Sequence, residues 1–176
     1  MGRMIDCMPS KTVRRRTIRI MKHIFTLVLG AVLMLGCITS PEVRMHEAAF
    51  YGNAHAVQSH LEDGVNANAM TRSGTTSLHA SAYRGNAAVV ELLLAHGANP
   101  NYMDGRGWIP LHQAVDQGHA GVAQMLINAG ANLNARISGV GYTPLDWAYH
   151  RQWPELAERI RKHGGKTSKE LKAEGK

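Results

Sequence analysis

Residues 76–101 read TSLHASAYRGNAAVVELLLAHGANPN, and residues 109–134 read IPLHQAVDQGHAGVAQMLINAGANLN. The two stretches align without a gap at a spacing of 33 residues, pairing Leu78 with Leu111, His79 with His112, Gly85 with Gly118, Gly97 with Gly130 and Asn101 with Asn134. Another 33 residues upstream, RMHEAAFYGNAHAVQSHLEDGVNAN carries Met45, His46, Gly52, Gly64 and Asn68 in the same slots. A step of 34 downstream, TPLDWAYHRQWPELAERIRKHGGK keeps Leu145 and Gly164 in register, the extra residue lying in the loop RISGVGY. Four units therefore cover about residues 42–166. A period of this length marks a stacked repeat, because one such unit cannot bury its apolar face alone.

Each unit carries the local chemistry of two short helices. AAVVELLLAHG places apolar residues on one helical face and stops at Gly97, a good left-handed terminator. Thr143-Pro144 puts a capping hydroxyl ahead of a proline at a helix start. The pattern Thr-Pro-Leu-His-x-Ala, then Gly, then a leucine-rich helix, then Gly-Ala and Asn resembles the ankyrin repeat family. The resemblance implies an all-α solenoid of about four helix–turn–helix units joined by hairpin-like finger loops. The expected divisions are 1–20 as an upstream extension, 21–36 as a signal peptide, 37–41 as a tether, 42–70, 71–103, 104–136 and 137–166 as repeats, and 167–176 as a solvated tail.

The segment PLHQAVDQGH, residues 110–119, gathers His112, Asp116 and His119 and invites a reactive-site reading. Periodicity argues otherwise. His46, His79 and His112 recur once per unit, and repeats spaced by about 10 Å hold such rings too far apart to share a metal. In the family this histidine is a hydrogen-bonding strut between neighbours, and the place of His119, after the turn glycine, is often filled by His. A search for chemistry finds no Gly-x-Ser-x-Gly elbow, no Walker loop, no His-Glu-x-x-His and no Gly-x-Gly-x-x-Gly. Gly105-Arg106-Gly107 alone is too short to cradle phosphate, and Asp104 and Asp116 lie in different units with no marked partner. No catalytic residue, metal site or cofactor is expected.

The positions left free by the repeat pattern are where function is expected. In the family, partners are bound by the finger tips and by the two inner-helix residues before the turn glycine. By position these pairs are Phe50-Tyr51, Tyr83-Arg84, Asp116-Gln117 and His150-Arg151. The fingers contribute Met70, Arg72, Ser73 and Thr75, then Met103, Arg106 and Trp108, then Arg136, Val140 and Tyr142. Five of the ten aromatics in the chain fall in this set: Phe50, Tyr51, Tyr83, Trp108 and Tyr142. Tyr, Trp, Arg and Met are the types enriched at protein interfaces. Trp108 can alternatively cover a neighbouring unit, while Trp147 and Trp153 are expected to plug the C-terminal end of the core.

The end units depart from the pattern. The first has Ser59 and His60 where later units carry leucines, and the last has Asp146 for the strut histidine and Gln152 for the turn glycine. Terminal repeats need a polar outer face, so both read as caps, with His60 facing solvent.

The formal net charge of +7 suggests nucleic acid until the charges are located. Residues 1–36 hold seven Lys/Arg and one acid, whereas the remainder holds thirteen Lys/Arg and twelve acids. The near-neutral repeat region argues against a nucleic-acid partner. From Met21, MKHIFTLVLGAVLMLGC offers one lysine, about fifteen uncharged apolar residues and then Gly36-Cys37. That run is short for a ~30 Å hydrocarbon core and suits an export signal. It resembles a bacterial lipoprotein signal with Cys37 as the lipidated residue, although Met34-Leu35 is unusual ahead of Gly36. A conventionally cleaved signal and an uncleaved anchor are the alternatives. Residues 1–20 read as an extension ahead of a start at Met21, or as a long basic leader; Arg14-Arg15-Arg16 lacks the apolar residues of a twin-arginine signal.

The resulting expectation is a monomeric, exported, non-enzymatic module that binds a protein partner. It would be held at the bacterial envelope by a lipid on Cys37, with the outer membrane favoured by Ile38 following the cysteine. The alternatives are an inhibitor or immunity-type protein that sequesters an enzyme and, remotely, an enzyme with an unrecognised site.

Overall fold

The computed structural model describes residues 40–175. Nine helices follow in chain order: α1 Pro41–Phe50, α2 Ala54–Glu62, α3 Ser77–Arg84, α4 Ala87–Ala95, α5 Pro110–Asp116, α6 Ala120–Asn128, α7 Pro144–His150, α8 Pro154–Lys162 and α9 Ser168–Ala173. The odd-numbered helices α1, α3, α5 and α7 pack in sequence as an inner row. Helices α2, α4 and α6 pack in sequence as an outer row, and α8 pairs with α7. This is the all-α repeat solenoid expected from the 33-residue period.

The repeat spacing becomes burial directly. Met45, Leu78, Leu111 and Leu145 are fully buried on the inner row, and Val57, Val90, Ala123 and Ala157 lie in the same core from the outer row. The cluster runs without interruption from Met45 to Ile160, so each unit buries its apolar face against its neighbours. Asparagines bind the row on the side away from the fingers. Asn68 Nδ2 donates to the Gly97 carbonyl at 3.0 Å while its Oδ1 accepts from Asn99 N at 2.7 Å. Asn101 repeats both bonds one unit on, to Gly130 and Asn132, and Asn134 Oδ1 accepts from Lys166 N.

The turn between paired helices explains one conserved spacing and its exception. Gly85 and Gly118 have φ of 72° and 73°. A Cβ on Gly85 would lie 2.6 Å from the His119 ring, and one on Gly118 would lie 2.8 Å from the Trp153 ring. His119 is there because its Nε2 donates to the Tyr83 carbonyl across the unit boundary. Gln152 occupies the same turn with φ of 61°. Its side chain is exposed, with no following repeat to supply a ring against it, so only the left-handed backbone favours glycine there.

Two sequence expectations change. The tail is not solvated along its length: Thr167 and Glu170 form a reciprocal capping pair, α9 forms, and Leu171 is only 6% exposed. Arg161 pairs with Glu170 at 3.0 Å, tying α8 to α9. His60 is half-buried on α2 rather than fully in solvent, whereas Ser59 is exposed. The expected signal peptide, tether and lipidated Cys37 lie outside the described residues. Among the described residues no helix is long and apolar enough to cross a membrane.

Candidate binding surface

The fingers are narrow turns closed by backbone bonds. Thr71 N donates to the Thr75 carbonyl, and Asp104 N to the Trp108 carbonyl. The third finger closes from Ile137 N to the Tyr142 carbonyl, one residue wider, which absorbs the insertion in RISGVGY. Adjacent fingers are also joined: Gly105 N donates to the Ser73 carbonyl and Ser138 N to the Arg106 carbonyl. Asp104 is buried and holds its finger from inside, accepting the N–H groups of Arg106 and Trp108 at 2.9 Å. Its second oxygen meets the Arg106 guanidinium at 3.2 Å.

The strut histidines link these fingers to the inner row. His79 Nδ1 accepts from Thr76 N at 3.2 Å, which leaves the proton on Nε2, and that group donates to the Trp108 carbonyl at 3.0 Å. His46 Nε2 lies 3.3 Å from the Thr75 hydroxyl. His112 Nδ1 accepts from Ile109 N, but its buried Nε2 makes no hydrogen bond, although the Tyr142 and Ala135 carbonyls lie on that side. The widened third finger accounts for this mismatch. Burial disfavours the charged ring at all three positions, lowering the pKa of His46 and His79 and taking that of His112 down to about 4. Among the described residues no group of three or more His, Cys, Asp or Glu is placed to hold a metal ion.

Side chains left free by the repeat gather into two clusters. In the first, Phe50 stacks near Tyr83 at 6.3 Å between ring centroids, Tyr51 meets Phe50 edge-on at 5.3 Å, and the Arg84 guanidinium lies 5.0 Å over Phe50. Tyr51 is 78% exposed and Tyr83 38%, which is unusual for rings with no structural need to face water. A shallow groove of about 340 Å³ beside them is walled by His46, Phe50, Thr75, His79, Tyr83 and Gln113. In the second cluster Trp108 meets Trp147 at 5.1 Å, Tyr142 meets Trp147 at 6.0 Å, and His150 stacks on Trp147 at 5.0 Å. Arg106 lies over Trp108 and Arg151 over Trp147.

Not every residue expected to be free is free. Asp116 Oδ1 accepts from Trp147 Nε1 at 2.8 Å and Arg151 Nε at 2.7 Å, and Gln117 donates to its other oxygen. Burial pushes the Asp116 carboxyl upward, but the hydrogen bonds from Arg151, Trp147 and Gln117 outweigh it and the net shift is downward. Asp116 therefore joins α5 to α7. Met70, Arg72, Met103, Gln117 and Val140 are exposed at the fingers or turn, and Arg136 is half-buried. Trp147 is the residue that the sequence reading misplaces. It is half-buried against the core edge, and its ring belongs to the second aromatic cluster. It stands 34 residues after the groove residue Gln113, and that register was the available signal. Trp153 does not plug the core end either, being 43% exposed and lying on Gly118.

A stack of helix pairs with linked fingers and a recessed row of free inner-helix side chains defines a repeat scaffold with a binding face. The family model described as Ankyrin repeats (3 copies) matches residues 45–137, and the chain belongs to that family. Repeats of this family generally mediate protein–protein interaction. A search of curated proteins finds no match to the chain.

Proposed function

We propose that the chain is a non-enzymatic protein-binding module displayed at the bacterial envelope, engaging its partner through the inner-helix and finger residues of the recessed face. The observation that carries this reading is the first aromatic cluster. Phe50, Tyr51 and Tyr83 come from two repeats, meet on the inner row and present exposed ring surface beside a groove. Clustered aromatics flanked by arginine are the side chains that contribute most to protein association. The fingers supply a rigid frame, since backbone bonds between them limit the ordering that binding would require.

The test is a pull-down from envelope extract with the repeat region and a Tyr51→Ala/Tyr83→Ala double variant in parallel. A protein retained by the normal chain and lost by the equally folded variant supports the reading; retention by both removes these rings from it. Attachment at Cys37 is supported by the apolar run before Gly36-Cys37. Intact mass of the exported protein should show an acylated N-terminal cysteine at that position, and an unmodified N-terminus beyond it ends the anchor proposal.

A further inference from the structure

We propose that the recessed face takes an acidic segment of the partner protein, with a carboxylate seated against Arg84 and a neighbouring apolar side chain in the groove between Phe50 and Gln113. This rests on the protein-binding reading above and gives it a chemical class of ligand.

The argument is one of charge already satisfied and charge left over. Asp104 is engaged by Arg106 and two backbone N–H groups, and Asp116 by Arg151, Trp147 and Gln117. Two carboxylates of this face are thus internally neutralised. Arg72 and Arg84 are exposed, and neither is in an ion pair among the described residues. Arg84 is held over the Phe50 ring, which fixes the guanidinium while leaving its N–H fork without a protein acceptor. Such a fork matches a carboxylate with two parallel hydrogen bonds. The other carboxylate on this side, Glu47, lies at the N-terminal rim in the repeat position of Ala80 and Gln113. Phe50 and Tyr83 wall the groove next to Arg84, so the acid would be flanked by an apolar or aromatic residue.

The chain's own N-terminal segment is a poor occupant, because residues 1–36 carry seven Lys/Arg against one acid. A nucleic-acid backbone also fits poorly: each phosphate contact calls for a cation, and two unpaired guanidiniums provide a short track.

The experiment selects random twelve-residue phage-displayed peptides on the chain from Ser40 onward. Every residue of the described core lies between Met45 and Leu171, so that chain retains it all. The expected result is enrichment of Asp or Glu beside an apolar residue. A synthetic copy of the selected peptide should lose about tenfold in affinity when its acid becomes the amide, and about tenfold against Arg84→Gln. Lys162→Gln on α8 should change nothing. Peptides without acids, peptides indifferent to Arg84→Gln, displacement by oligodeoxythymidine at lower concentration, or no selected peptide at all would each overturn the proposal. Neutral peptides that are lost on Tyr83→Ala would overturn it while leaving the protein-binding reading in place. That reading falls separately, through the envelope pull-down.

Discussion

His112 shows how one side chain couples the repeat to pH. Its ring is fully buried, hydrogen-bonded at Nδ1 and unbonded at Nε2, with a pKa near 4 against an ordinary value of 6.5. Between those values the unfolded chain binds a proton that the folded chain refuses, so the stability contribution is complete above pH 6.5 and declines as pH falls toward 4. Going from pH 7 to pH 5 should cost about 2 kcal/mol through His112 alone. His46 and His79 are shifted the same way and add to the loss. Urea unfolding at the two pH values should show that difference, with a smaller one in His112→Gln; equal stability at both would contradict the buried neutral ring. His79, with Thr76 N and the Trp108 carbonyl as partners, shows what the same residue achieves where the next finger is not widened. The periodic histidine was legible as a strut from sequence. The missing partner was not, because it depends on where an inserted residue moves a carbonyl.

At the level of elements, the C-terminal end is closed by a change of hydrogen-bonding sense. In an internal unit the strut histidine donates to a carbonyl of the next finger, as His79 does. After α7 comes α9, whose first residues offer N–H groups, so an acceptor is needed. Asp146 supplies it, accepting from Thr143 N at 2.9 Å and from Ser168 N at 2.8 Å with one oxygen. Asp146→Ala should therefore destabilise the protein by about 2 kcal/mol, the scale of two lost capping bonds, with Asp146→Asn recovering most of it. Chemical denaturation of the three proteins gives the comparison, and an Ala variant within ~0.5 kcal/mol of the parent would remove this role. Helix pairs and their turns were readable from the 33-residue spacing and the apolar faces. The short helix α9 was less so: Leu171 is a single apolar anchor in a charged tail, which gives no periodicity. Thr167-x-x-Glu170 was the remaining local signal, since that spacing makes a reciprocal cap.

Across the whole repeat region, regular stacking both builds the core and exposes a surface that the core does not need. Met45, Leu78, Leu111 and Leu145 recur because the solenoid requires them, while Tyr83 and Trp108 vary from unit to unit without disturbing it. Their positions were legible by subtraction from the repeat. Their grouping was not: Asp116 reaches Trp147 and Arg151 across 31 and 35 residues, and no local pattern marks those pairs. Trp147 likewise acquires its neighbours only when the inner row is assembled. Function assigned to this face is a statement about direction, inner row against outer row. The direct measurement replaces Tyr83 on α3, and separately the exposed Glu91 on α4, with a photo-reactive phenylalanine derivative and irradiates each protein in envelope extract. A covalent adduct with the partner from position 83 and none from position 91 is the predicted result. An adduct from position 91 with none from position 83 would place the partner on the outer helices and contradict the account.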